Sequence, residues 1–164
     1  MLVVLGGLTV GLLWSGCGRP RSEEPAPLVG AWRSTVRFKT GAFAGIEDLE
    51  FLYVFNAGGT LTESSNYDGA PPVPPAYGTW RPVGANEYEA KYEFFATAPP
   101  SSFDVLKNGG GWLPAGRGIL TERITLSSDS QTFASTIRYE ALDSKGNPAE
   151  GGGEAEGRAE KIRF

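Results

Sequence analysis

Two acidic residues stand in phase with leucines. In TLTESS, Glu63 lies two residues after Leu61, and in GILTERITL, Glu122 falls between Leu120 and Ile124 with Leu126 in the same phase. Residues two apart on a strand share a face, so each carboxylate belongs to an apolar one. Turned inward, both would enter a dry interior, where lost hydration raises a carboxyl pKa and suits it to general acid or base work near neutral pH. At strand ends in solvent, or paired with an arginine, they would do no chemistry. Tyr53, Tyr88, Tyr92 and Tyr139 also fall on apolar faces. Each carries a hydroxyl that needs a partner, and they would either line a polar-tipped cavity or reach the rim of the fold.

Other chemistry is excluded by composition. The chain has 0 histidines, which removes the Ser-His-Asp and Cys-His arrangements and every histidine-dependent metal site. Catalysis would have to run on carboxylates, tyrosines, lysines or backbone dipoles. Cys17 is the 1 cysteine, so neither an intrachain disulfide nor a thiolate cluster is open to it. No metal or other cofactor is expected. Lys plus Arg number 15 against 19 Asp plus Glu, a net charge of −4, and no basic run is present, so a nucleic-acid partner is not expected.

The 164 residues are 40% hydrophobic and 12% aromatic, enough for one domain with a real core plus appendages. Residues 1–16 begin with the uncharged run MLVVLGGLTVGLLW, shorter than the roughly 20 residues a membrane-spanning helix needs. They are read as a secretory signal. With Ser15, Gly16 and Cys17 the segment resembles a bacterial lipoprotein signal. That resemblance implies cleavage before Cys17, lipid attached to it, export across the inner membrane and anchoring in the cell envelope, at the outer membrane or cell surface. An ordinary cleaved signal with an incidental cysteine is the alternative. Residues 17–27, rich in proline and charge, form a tether, and the folded domain spans 28–164.

Within that domain period-two alternation dominates. Trp32, Ser34, Val36 and Phe38 share one face of the first strand, with Arg33, Thr35 and Arg37 on the other. EDLEFLYVF aligns Leu49, Phe51, Tyr53 and Phe55, but Leu52 and Val54 are apolar too, so cover on both faces is expected. NAGG at 56–59 is a hairpin turn, and the proline-rich 67–78 segment is a surface loop. Further strands are centred on Gly78-Thr79-Trp80, EYEAKYEFFATA, GILTERITL, TFASTIRYEAL and EAEGRAEKIRF. Residues 98–118 contain five glycines and three prolines and are read as a long loop with one or two helical turns in SSFDVLKN. Its Phe103, Leu106, Trp112 and Leu113 would form either a lid or a permanent plug. Eight strands with mostly short connections give an all-β, up-and-down antiparallel barrel, just wide enough for side chains or one small ligand.

Gly30-Ala31-Trp32, opening the first strand, resembles the Gly-x-Trp signature of the calycins, which include lipocalins, fatty-acid-binding proteins and avidins. Gly78-Thr79-Trp80 repeats it. The resemblance implies a lipocalin-like barrel over 28–164 in which Trp32 closes one end, often beneath an arginine of the last strand. Arg158 and Arg163 are there, and alternation does not decide which, if either, covers Trp32. Trp32 and Trp80 are read as core.

The function expected is binding of a small hydrophobic or amphipathic molecule without catalysis, through Tyr53, Tyr88, Tyr92, Tyr139, Phe103 and Trp112, with the membrane reached through a lipid anchor. One alternative is a barrel enzyme of the isomerase or cyclase type, resembling allene-oxide cyclases, that uses Glu63 or Glu122. Another is an envelope interaction module without a cavity, presenting an apolar outer patch around Leu52 and Val54.

Overall fold

The alternation of the sequence becomes the two faces of one continuous sheet. A computed structural model describes residues 25–67, 75–108 and 110–163. The signal segment 1–16, Cys17 and most of the 17–27 tether lie outside the described residues. The strands are β1 (Gly30–Phe38), β2 (Glu50–Phe55), β3 (Thr60–Ser65), β4 (Ala76–Pro82), β5 (Glu87–Ala98), β6 (Leu113–Leu126), β7 (Thr132–Leu142) and β8 (Pro148–Lys161). Each pairs antiparallel with the next. β8 returns to β1, from Trp32 opposite Lys161 to Phe38 opposite Ala155, and the barrel is closed. Closure removes the two long edges that an open sheet of these strands would carry.

Turn chemistry sets the registers. Asn56 and Gly59 close the β2–β3 hairpin, Gly59 N–H donating to Asn56 O at 3.0 Å with Gly59 at φ 78°, a conformation glycine adopts without steric cost. The β7–β8 turn is held by Asp143, whose Oδ1 accepts from the amides of Lys145 and Asn147, each at 2.8 Å.

One end of the interior is a stack of large apolar side chains. Trp32 packs on Phe133 (ring centroids 5.0 Å apart), Phe55 on Trp80 (6.1 Å) and Trp80 on Tyr88 (5.7 Å). Leu28, fully buried, comes from the segment before β1 and accepts the Trp32 indole N–H at 2.9 Å. Trp32 therefore belongs to the core and closes this end of the barrel.

The cation above it is Lys161. Its ammonium lies 5.1 Å from the Trp32 ring centroid and donates to Pro27 O at 2.9 Å. Neither candidate arginine does this. Ala155, Gly157 and Ala159 of β8 face inward, so Arg158 is exposed on the outer face, and Arg163 lies exposed beyond the strand. Lys161 is in phase with the inward residues. Its side chain crosses Gly30, where a Cβ would come 2.9 Å from Lys161 Cε. The glycine of the Gly-x-Trp triplet thus makes room for the lysine that lies on the tryptophan.

Two expectations about elements are corrected. The loop expected over 98–118 is shorter than that, because β5 continues to Ala98 and β6 begins at Leu113, past a register shift at Ala96/Thr97. Only α1 (Phe103–Lys107) and its flanks remain as a connection. The glycines and Pro114 hid this pairing, since β propensity undervalues residues that a long partner strand holds in place. In β2, Leu52 and Val54 are 49% and 46% exposed rather than covered. A single closed layer leaves its outer face to solvent, and scattered exposed aliphatics there are ordinary.

Candidate functional site

Opposite the Trp32 end, the barrel opens onto a cavity of about 300 Å³. Inward alternation on four strands supplies much of its wall, with Phe38 from β1, Phe51 from β2, Phe94 from β5 and Tyr139 from β7. Connections add Phe43, between β1 and β2, and Tyr67, after β3. The rings make one aromatic collar: Phe43 lies 5.3 Å from Phe38, 5.3 Å from Tyr139 and 5.2 Å from Tyr67, and Phe94 stacks on Tyr139 at 6.0 Å. Gly118, beneath the Phe94 and Tyr139 rings, leaves the space a Cβ would take from them.

Glu63 brings a carboxyl into this apolar lining. It is 5% exposed, lines the cavity, and its Oε1 has no hydrogen-bond partner. Below it lies a sealed polar layer made by Tyr53, Tyr92, Glu122, Ser34 and Ser135, all buried. Tyr92 donates its hydroxyl to Glu122 Oε2 at 2.9 Å, and the Tyr53 and Tyr92 hydroxyls are 3.3 Å apart. A phenol has one proton, so with Tyr92 committed to Glu122, Tyr53 donates to Tyr92. Gly78 of β4 allows this arrangement, since a Cβ there would strike the backbone at Tyr92.

The electrostatics follow from burial. Among the described residues the buried charged side chains are Glu63 and Glu122, with no buried lysine or arginine. Loss of hydration, then the neighbouring Glu122, pushes the Glu63 carboxyl up to about 8. Burial also raises Glu122, while the hydroxyls of Ser135, Tyr92 and Tyr53 pull it back down. When the pair carries a single negative charge, that charge rests on Glu122, which accepts from the Tyr92 hydroxyl, and Glu63 keeps its proton. Tyr53 and Tyr92 are pushed well up, chiefly by burial, and serve as hydrogen-bond donors.

Both sequence-selected carboxylates are therefore inside, neither at a strand end in solvent nor paired with an arginine. What an acid–base enzyme would need is split between them. Glu63 lines the cavity without a tyrosine bonded to it, whereas Glu122 has the tyrosine but does not line the cavity.

Of the four tyrosines, Tyr139 lines the cavity, and Tyr53 and Tyr92 form the layer beneath. Tyr88 lies at the far end, against Trp80 and the Leu28 backbone, because it sits four residues before Tyr92 on β5, displaced toward the closed end. Phe103 and Trp112 do not line the cavity. Phe103 is 70% exposed beneath the Lys107 ammonium, and Trp112 is half-buried. No described side chain of 99–112 lines the cavity, and the Leu106 side chain lies outside the described residues.

Sequence reasoning missed Phe38, Phe51 and Phe94 as site residues, reading them only as residues of apolar strand faces, and on the connections it missed Phe43 and Tyr67. A phenylalanine in the glycine-flanked TGAFAG has no strand pattern to announce it. The available signal was physical: a large ring in a small-residue loop needs apolar cover, and the nearest cover is the mouth. On comparison with known proteins, no protein-family model matches the chain, and no curated protein matches it.

Proposed function

We propose that this protein is a lipocalin-like binding protein whose open end takes a small hydrophobic or amphipathic molecule. The observation that carries the reading is the 300 Å³ aromatic cavity with the unpartnered Glu63 carboxyl in its lining. Ligand pockets run from about 300 Å³ upward, mostly apolar with a few polar groups that fix orientation. A cavity at the bottom of that range suits one ring with a short chain, not a long acyl tail. A buried polar atom left unpaired costs free energy, and a ligand that supplies the partner recovers it. The secretion and lipid-anchor reading of residues 1–16 and Cys17 belongs to this proposal, and the mass of the mature amino terminus tests it.

Titration calorimetry with 2-phenylethanol, a neutral probe of one ring and one hydroxyl, tests binding. Saturable binding is expected, with amide chemical-shift changes at Phe38, Glu63 and Tyr139. Ser65→Trp, which fills a half-buried position of the lining, is expected to abolish it. Absence of saturable binding in the unsubstituted protein, or identical binding after Ser65→Trp, overturns the reading.

A further inference from the structure

We propose that the cavity is shaped for a small organic cation, a primary ammonium on an aromatic or short aliphatic body, with Glu63 as its counter-charge. The proposal rests on the cavity being a ligand site and specifies the charge of what it takes. Around the cavity, the groups facing Glu63 that can titrate are Tyr53 on β2, Tyr67 after β3, Tyr92 on β5, Glu122 on β6 and Tyr139 on β7. Ser34 on β1, Ala76 on β4 and Gly157 on β8 cannot. Every titratable group there is acidic. Two carboxyl groups thus share an interior that has no buried cation among the described residues.

An ammonium bound there gains from three sources. It donates to the Glu63 carboxyl, which lines the cavity and accepts no hydrogen bond from the described residues. It supplies the counter-charge that burial, and then repulsion from Glu122, otherwise replace with a proton on Glu63. It also meets the rings of Phe38, Phe51 and Tyr139, whose π-faces attract cations. A neutral alcohol gains only the hydrogen bond. An anionic ligand such as a short carboxylate meets two acids and no cation, so it is rejected, and the net charge of −4 adds a weak bias in the same direction.

The protons balance in a way that can be measured. With Glu63 held near 8, the free protein at neutral pH carries the proton on Glu63. On binding, the ammonium keeps its own protons, the Glu63 O–H bond breaks, and that proton passes to buffer as the carboxylate forms the ion pair.

The experiment compares 2-phenylethylamine, 2-phenylethanol and 3-phenylpropanoate by calorimetry at neutral pH, on the full chain, in two buffers of different ionisation enthalpy. The amine is expected to bind about tenfold or more tighter than the alcohol, with close to one proton released per amine, and the propanoate not to bind. Glu63→Gln, nearly isosteric, is expected to bring the amine to the alcohol's affinity and to abolish proton release. If Glu63→Gln fails to fold, the ligand ranking and proton count of the unsubstituted protein still decide the matter. Alcohol binding as tight as amine binding, or amine binding without proton release, overturns the cation assignment while leaving the cavity a ligand site. Failure of all three probes overturns both.

Discussion

Glu63 is a carboxyl kept in a place that disfavours its charge, and the cost appears in stability. Its native pKa of about 8 lies above the 4.5 of a free side chain, so between those values the folded chain holds a proton that the unfolded chain releases. Stability must then fall as pH rises through that window. The full shift corresponds to a loss on the order of a few kcal/mol by the upper end, and Glu122, also raised by burial, acts in the same sense. Glu63→Gln cannot ionise, so chemical denaturation of this variant is expected to show a flatter profile between pH 5 and 8 and a higher midpoint at pH 8 than the unsubstituted protein. Parallel profiles for the two would show that Glu63 titrates normally. Lys161 is the counter-case at the other end: it retains solvent contact and a carbonyl partner at Pro27, which lets a lysine lie over an aromatic floor at small cost.

Among the elements, the β5–β6 hairpin is where sequence and structure part. The eight strands, their order and the inward faces of Trp32, Tyr92 and Phe133 were legible because period-two alternation is clean along β1, β5 and β7 and turn residues separate the other strands. The two carboxylates were legible from their phase with leucines, and only their orientation had to come from closure of the barrel. The residues 113–117 were not legible, since Pro114 and Gly116 contradict strand propensity and are held by pairing across to Ala98, Thr97 and Ala96. Nor was the choice of Lys161 over the arginines, which depends on the phase of β8 running through glycines and alanines that carry little pattern. Because Ala98 pairs directly with Leu113, the intervening 99–112 can be exchanged for Asn-Gly, which closes such a pair as a tight turn. The exchanged protein is expected to keep its melting temperature within a few degrees and its affinity for 2-phenylethanol within about twofold. A loss of binding of tenfold or more with the fold intact would make the segment part of the site after all.

At the scale of the whole molecule, the barrel divides its interior into three layers: an aromatic floor around Trp32, a sealed layer of hydroxyls and acid, and an open aromatic cup. The floor removes apolar surface from water and stabilises the closed end. The polar layer links its groups through the chain from Tyr53 to Tyr92 to Glu122, and of the two buried carboxyls it is Glu63 that lines the cup. One ring of strands thus holds both a packed end and an open one, and what separates them is the acid pair at mid-height. The most direct test is a carbon-13 NMR titration of the Glu63 carboxyl, with and without saturating 2-phenylethylamine. The predicted midpoint is near 8 in the free protein, falls below neutrality with the amine bound, and is unmoved by 3-phenylpropanoate. A midpoint near the ordinary 4.5 in the free protein would contradict the buried, proton-holding acid on which the account of this cavity depends.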